Sequence, residues 1–158
     1  MSNAPVQFTI LAEISGDIDT INALMNTGAG MERWVPVCRS VKFVHPNDVL
    51  AVGSVRYVTL KSGFLAVERI TFLESPLRLN YTLDTMGGLR VDKFLKNYEG
   101  VTVLEPIGDK RYRLSWTVHY ECIGLVALIA PLARLGLRAL IGNMVSSICR
   151  EANGKRLT

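Results

Sequence analysis

Two oppositely charged residues, Arg56 and Glu68, flank the loop Lys61-Ser62-Gly63. A three-residue loop ending in glycine suits a type I turn followed by a left-handed residue. That turn sets Leu60 opposite Phe64 and Arg56 opposite Glu68. A two-residue loop at Ser62-Gly63 would set Arg56 against Arg69, a disfavoured like-charge pair. Inside an apolar pocket, a paired carboxylate and guanidinium can do acid–base chemistry. Glu68 would move a proton and Arg56 would hold an anionic or enolic oxygen. On a solvated face the same pair is a weak salt bridge. The pattern leaves the face open: Ala66, Ile70 and Phe72 share the side of Glu68, while Leu65, Val67 and Leu73 share that of Arg69.

Tyr81 and Tyr98 can donate hydrogen bonds to a ligand, or can pack with the hydroxyl at a rim. Trp116 lies in the alternation Tyr112, Leu114, Trp116, Val118, Tyr120, which must face a core or cavity; His119 then points outward. His45 sits beside a Pro-Asn turn. Neither histidine is expected to be catalytic, and no Cys/His cluster offers a metal site. Gly28-Ala29-Gly30 does not complete G-x-G-x-x-G, because Arg33 stands where the last glycine would be. No G-x-S-x-G elbow is present.

The elements that must position these residues can be read from periodicity and turn chemistry. Residues 6–14 alternate as a half-buried strand. Asp17 opens a helix through Ile18, Ile21, Leu24 and Met25, with Gly28 as its stop, and a second short helix spans 29–34. Strand character follows at 40–44, 49–60, 64–74, 77–86, 95–105 and 111–121. The punctuation between them is His45-Pro46-Asn47-Asp48, Lys61-Ser62-Gly63, Ser75-Pro76, Gly87-Gly88 and Gly108-Asp109. A long helix over 131–152 presents Ala133, Leu137, Leu140, Ile141, Met144 and Ile148 on one stripe. The expectation is an α+β domain over residues 6–154, with short tails at 1–5 and 155–158. Seven antiparallel strands would curve around one long helix. One helix cannot cover so broad a concave face, so a cavity is expected beneath it.

Of the 158 residues, 49% are hydrophobic and 20% charged, enough for a sizeable core. The net charge of +4 comes from scattered residues without a nucleic-acid motif. Three widely spaced cysteines suggest reduced thiols in a cytoplasmic protein. The start of the chain lacks the pattern of a signal peptide. The apolar run at 122–133 is broken by Arg134 and Arg138, and is expected to be a core element and not a membrane span.

The residues Gly53–Val58, Ser62-Gly63, Val67-Glu68-Arg69-Ile70, Leu79-Asn80-Tyr81, Asn97–Val103 and Leu114-Ser115-Trp116 together resemble the polyketide cyclase/dehydrase branch of the START-like (SRPBCC) superfamily. The resemblance covers about the whole chain and implies a helix-grip fold. Similarity to the lachrymatory-factor synthases implies that Arg56 and Glu68 line the pocket and take part in proton transfer. Similarity to the plant abscisic acid receptors is more distant: Phe64-Leu65-Ala66 and Lys93-Phe94-Leu95 replace the receptors' gate and latch, and the ligand-anchoring lysine falls near Arg33. The resemblance implies a pocket formed by Arg56, Glu68, Tyr81, Tyr98, Trp116 and Arg33, with no cofactor. The partner would be a small apolar or amphipathic molecule, not nucleic acid; a homodimer is compatible with this. A carrier or sensor role is expected first, and a cyclase, dehydratase or isomerase using Arg56 and Glu68 second. An adaptor working through the sheet edge or the helix has no specific support.

Overall fold

The computed structural model describes residues 5–44 and 50–158. The expected turn at His45–Asp48 and the start of the 49–60 strand lie outside the described residues. Strand β1 (Val6–Ser15) leads into helices α1 (Ile18–Asn26) and α2 (Gly28–Trp34). Strands β2 (Cys38–Val44), β3 (Val55–Leu60), β4 (Leu65–Glu74), β5 (Arg78–Met86), β6 (Leu89–Arg90), β7 (Leu95–Gly108) and β8 (Arg111–Cys122) follow. A 3-10 segment (Gly124–Ile129) runs into helix α3 (Ala130–Glu151), and β9 (Lys155–Arg156) closes the chain. The sheet is antiparallel, in the order β2-β3-β4-β5-β7-β8-β1-β9, with β6 paired to β5. This is the expected helix-grip arrangement.

Four details differ from the sequence expectation. The described sheet has nine strands instead of seven; β6 and β9, the extra two, have two residues each. The supposed C-terminal tail is anchored: Lys155 pairs with Glu13, and the Leu157 amide donates to the Leu11 carbonyl at 2.8 Å. Gly28 opens α2 and does not terminate α1 in a left-handed turn; the Thr27 hydroxyl caps α2 by accepting from the Gly30 amide at 3.0 Å. Residues 50–54 form a turn and not strand, with Ser54 Oγ accepting from the Ala51 amide at 2.9 Å.

Bulges interrupt the ladders of the sheet. Each inserts an unopposed residue that increases local twist. One lies between Ile70 and Phe72 in β4. It turns Phe72 off the face that Glu68 and Ile70 share, so Phe72 is exposed, with the Arg78 guanidinium 5.1 Å from its ring centre. The sequence pattern had placed Phe72 with Glu68; the extra residue, Thr71, reverses that.

Helix α3 is uneven. In its second half Ile141, Val145 and Ile148 are buried, and the helix packs against β1. In its first half Leu132, Leu135 and Leu140 are exposed, as are Leu125, Leu128 and Ile129 before them. The expectation that this apolar run is a core element fails for these side chains, because they lie on the side turned away from the sheet, while Val126, Ala133 and Leu137 pack toward it. The segment Gly124–Glu151 is long and apolar enough to cross a membrane by length and composition, yet its second half is core.

Gly100 on β7 opposes Tyr81 on β5, and the Tyr81 ring lies across it. A Cβ there would stand 2.2 Å from Tyr81 Cζ. Glycine therefore permits the ring position that the site below requires. Gly100→Ala should destabilise the protein by about 1–3 kcal/mol through overpacking. Urea unfolding monitored by far-UV circular dichroism measures this; an unchanged midpoint would show that Tyr81 can move freely.

Candidate functional site

The β3–β4 hairpin supplies the charges. Gly63 adopts φ +84, and the Leu60 amide donates to the Phe64 carbonyl at 2.8 Å. Arg56 therefore pairs directly with Glu68 in the ladder. Both side chains point inward, to the concave side beneath α3. They are 5% and 13% exposed, and Arg56 Nε donates to Glu68 Oε2 at 2.5 Å. The choice of face that the sequence left open is thus resolved in favour of the interior.

A buried ion pair survives only when its remaining polar capacity is used. Arg56 Nη1 lies 3.3 Å from Met31 Sδ of α2. The guanidinium carbon also sits 5.5 Å from the centre of the Tyr81 ring, a cation–π contact. Tyr81 Oη accepts from Trp116 Nε1 at 3.2 Å. The Tyr81 and Tyr98 rings are tilted against each other with their centres 6.3 Å apart. The Trp34 and Trp116 rings meet edge to face at 6.0 Å, and Trp34 Nε1 donates to the Leu24 carbonyl. Helix α2 is thus tied to β8 through aromatic packing, and to the ion pair through Met31.

These groups border a cavity of about 110 Å³. Its sheet side includes Val58, Leu60, Ala66, Leu83 and Met86; its lid is Leu137, Ile141 and Met144 of α3. A second, more open groove of about 280 Å³ shares Leu83, Met86, Tyr98, Leu137 and Leu140 with that wall. It runs on past Phe94, Val126 and Tyr120.

Arg56, Glu68, Tyr81, Tyr98 and Trp116 are therefore together. Arg33 is not among the lining residues; it is largely exposed and paired with Glu151. Sequence reasoning missed Met31 and Trp34, because a short helix gives no sign of which residue meets the sheet. It also passed over Tyr120. That side chain is buried, and its hydroxyl finds no hydrogen-bond partner among the described residues. The signal was available, since Tyr120 shares the inward alternation of Trp116.

Burial pushes the Tyr81 hydroxyl well above its ordinary range, and the nearby Glu68 charge adds to this. Tyr98 is raised by burial first and then by Tyr81. Both stay neutral donors at physiological pH. Among the described residues no group of acidic, cysteine or histidine side chains could hold a metal ion.

Arg56→Leu should cost about 3–5 kcal/mol by stranding Glu68, and Glu68→Leu a similar amount by stranding Arg56. The double variant should regain part of this loss, giving a coupling of at least about 1 kcal/mol in a denaturation cycle. Additive losses would mean that solvent already screens the pair. The tyrosines make a separate prediction. Their pKa values are raised in the folded state, so the neutral-form advantage is fully present below about pH 10 and is lost as pH rises beyond it. Urea midpoints should fall above about pH 10, and the tyrosinate absorbance of Tyr81 and Tyr98 should appear only with unfolding. Reversible ionisation of all tyrosines in the folded protein would contradict their burial.

The family described as polyketide cyclase / dehydrase and lipid transport matches residues 5–155. No curated protein matches the chain. A conserved protein from Geobacillus kaustophilus superposes with a TM-score of 0.67 at 16% identity, covering 97% of this chain and 100% of its own. Major latex-like protein 151 from Panax ginseng gives 0.69 at 14%, covering 95% and 99%. Norcoclaurine synthase from Thalictrum flavum, solved with dopamine and hydroxybenzaldehyde, gives 0.65 at 14%, covering 94% and 88%. At these identities the likeness is one of fold. The family match spans nearly the whole chain and coincides with the helix-grip architecture, so the chain belongs to the polyketide cyclase/dehydrase and lipid transport family of START-like proteins.

Proposed function

We propose that the chain binds a small, largely apolar molecule between the sheet and α3, as a carrier or sensor. The observation that carries this reading is an otherwise apolar cavity into which one ion pair and two neutral tyrosines project. An apolar lining provides the affinity, and a few fixed polar groups orient the ligand. The size is informative: an apolar cavity of about 150 Å³ takes up benzene. The cavity as it stands suits a single ring or a short chain, and the adjoining groove gives a longer ligand room to extend.

Charge narrows the ligand class. An acid entering the cavity would compete with Glu68 for Arg56 and leave a buried carboxylate unpaired, at high cost. A neutral molecule carrying a hydroxyl or carbonyl can use Tyr81 or Tyr98 beside the intact pair. Neutral aromatic or lipid-like compounds are therefore preferred over acids. The norcoclaurine synthase complex supports testing a phenolic aldehyde among them.

A second reading is favoured by the presence of Glu68 in the cavity wall itself. A carboxylate there can take a proton beside a ligand carbonyl, while Arg56 or a tyrosine hydroxyl steadies the oxygen that gains charge. This is a cofactor-independent cyclase, dehydratase or isomerase.

Both tryptophans, Trp34 and Trp116, line the cavity, so intrinsic fluorescence reports on it directly. Titration with naphthol or hydroxybenzaldehyde should quench that fluorescence and raise the melting temperature by mass action. Naphthoic acid should bind more weakly than naphthol. A filled core would respond to none of them. Glu68→Gln then separates the readings: a carrier changes only in affinity, whereas an acid–base enzyme loses turnover and keeps binding, because the amide cannot move the proton.

A further inference from the structure

The 3-10 segment and the first half of α3 form a convex apolar ridge. Leu125 is 84% exposed, Leu128 74%, Ile129 53%, Leu132 68% and Leu135 65%. The inner side of the same half is apolar too: Val126, Ala133 and Leu137 face the groove. A helix apolar on both sides needs cover on both sides, and the sheet provides only one.

The charges around the ridge indicate what covers the other. Between Glu121 and Glu151 the sequence contains no carboxylate; the charges in that interval are Arg134, Arg138 and Arg150. Arg138 rests over the Phe8 ring at 5.9 Å, and Arg134 is exposed. Exposed Lys93 joins them, because Phe94 accepts a hydrogen bond from the Ile123 amide at 3.0 Å and so holds Lys93 near the start of the segment. Asp92 close by is already paired with Arg90. An apolar ridge without carboxylates, its cations on the sheet-side flank and at the Lys93 end, complements an anionic bilayer surface, with leucines entering the acyl boundary and the cations reaching headgroups at the rim. Insertion across the bilayer would require pulling Ile141, Val145 and Ile148 out of the core.

We propose that residues 124–140 dock the protein on the surface of an anionic lipid bilayer. Docking places the bilayer beside the ligand path. Leu140 is at once exposed and a wall of both the cavity and the groove, and Gly136 borders the groove from the exposed side. An apolar ligand can then pass between acyl chains and cavity without crossing water. This transfer step rests on the binding role proposed above; docking itself does not.

The test is flotation of the full chain with vesicles of phosphatidylcholine alone, or of equal parts phosphatidylcholine and phosphatidylglycerol. The protein should float with the mixed vesicles, less with the neutral ones, and less again at high salt. Leu128→Glu with Leu132→Glu should lower partitioning by about tenfold or more. These side chains are exposed, so circular dichroism and the melting temperature should not fall. Absence of flotation, or flotation unchanged by the double variant, overturns the proposal. So does a concentration-dependent dimer that the same substitutions dissolve while vesicles stay empty, which would assign the ridge to a second copy. Quenching by naphthol is measured in parallel: quenching without flotation removes docking and leaves the binding role intact, whereas flotation without quenching does the reverse.

Discussion

The cost of keeping two charges out of water constrains the rest of this structure. Arg56 and Glu68 sit in a cavity whose other walls are almost wholly hydrocarbon, and neither has much access to solvent. Such a pair persists only if its geometry is fixed from several directions at once. The Gly63 turn sets the register that makes the two residues neighbours. Helix α2 brings Met31 to the guanidinium, and Gly100 lets the Tyr81 ring lie within reach of it. Tyr81 is in turn held by the Trp116 indole and by packing against the Tyr98 ring. The polar cluster is therefore a shared product of α2, β3, β4, β5, β7 and β8, and no single element could hold it alone.

That arrangement explains why the interior is a cavity and not a filled core. A polar cluster cannot be packed over with aliphatic side chains without leaving its hydroxyls and charges unsatisfied. The ladder between β4 and β5 is irregular on either side of Glu68 and Ile70, and α3 approaches with Leu137, Ile141 and Met144. What lies between is apolar space with a small polar patch, the general form of a small-molecule site. The same scaffold supports carriage and catalysis, and the difference lies in what a ligand does to one carboxylate.

The sequence revealed more about pairing than about packing. Turn chemistry at Lys61-Ser62-Gly63 gave the Arg56–Glu68 register, because a loop of that length and composition has few backbone solutions. Alternation along β1 and β8 gave their inward faces, because one side of each is solvated. The face of β4 was not legible. Both of its sides carry apolar residues, and the bulge that turns Phe72 outward leaves no mark in composition. Gly28 misled for a related reason: glycine marks a break but does not say whether the chain stops there or starts again. Met31 and Trp34 became site residues only through the packing of α2, which no local pattern encodes. The uneven burial of α3 was hidden too. Helical periodicity locates an apolar stripe, but it does not tell a buried stripe from an exposed one when both sides of the helix are apolar.

That last feature bears on how a ligand enters. The second half of α3 is fixed by buried contacts with β1 and by β9 beyond it, whereas the first half rests on the sheet by a few half-buried residues such as Ala133 and Leu137. Local opening free energy follows buried apolar contact, so the first half is the part of the lid that yields at least cost. It is also the half that carries the exposed leucines and borders both the cavity and the groove. Gly136 weakens the helix near the same point, and nothing lies within 4 Å of where its Cβ would be. The polar cluster, by contrast, hangs from the hairpin and the rigid centre of the sheet. Among the described residues the ion pair's polar and cation–π contacts are to Met31 and Tyr81 and not to the first half of α3, so a displacement of that half would leave it in place. In the binding role proposed above, the fixed polar end would set ligand orientation and the less tightly packed apolar end would set ligand length.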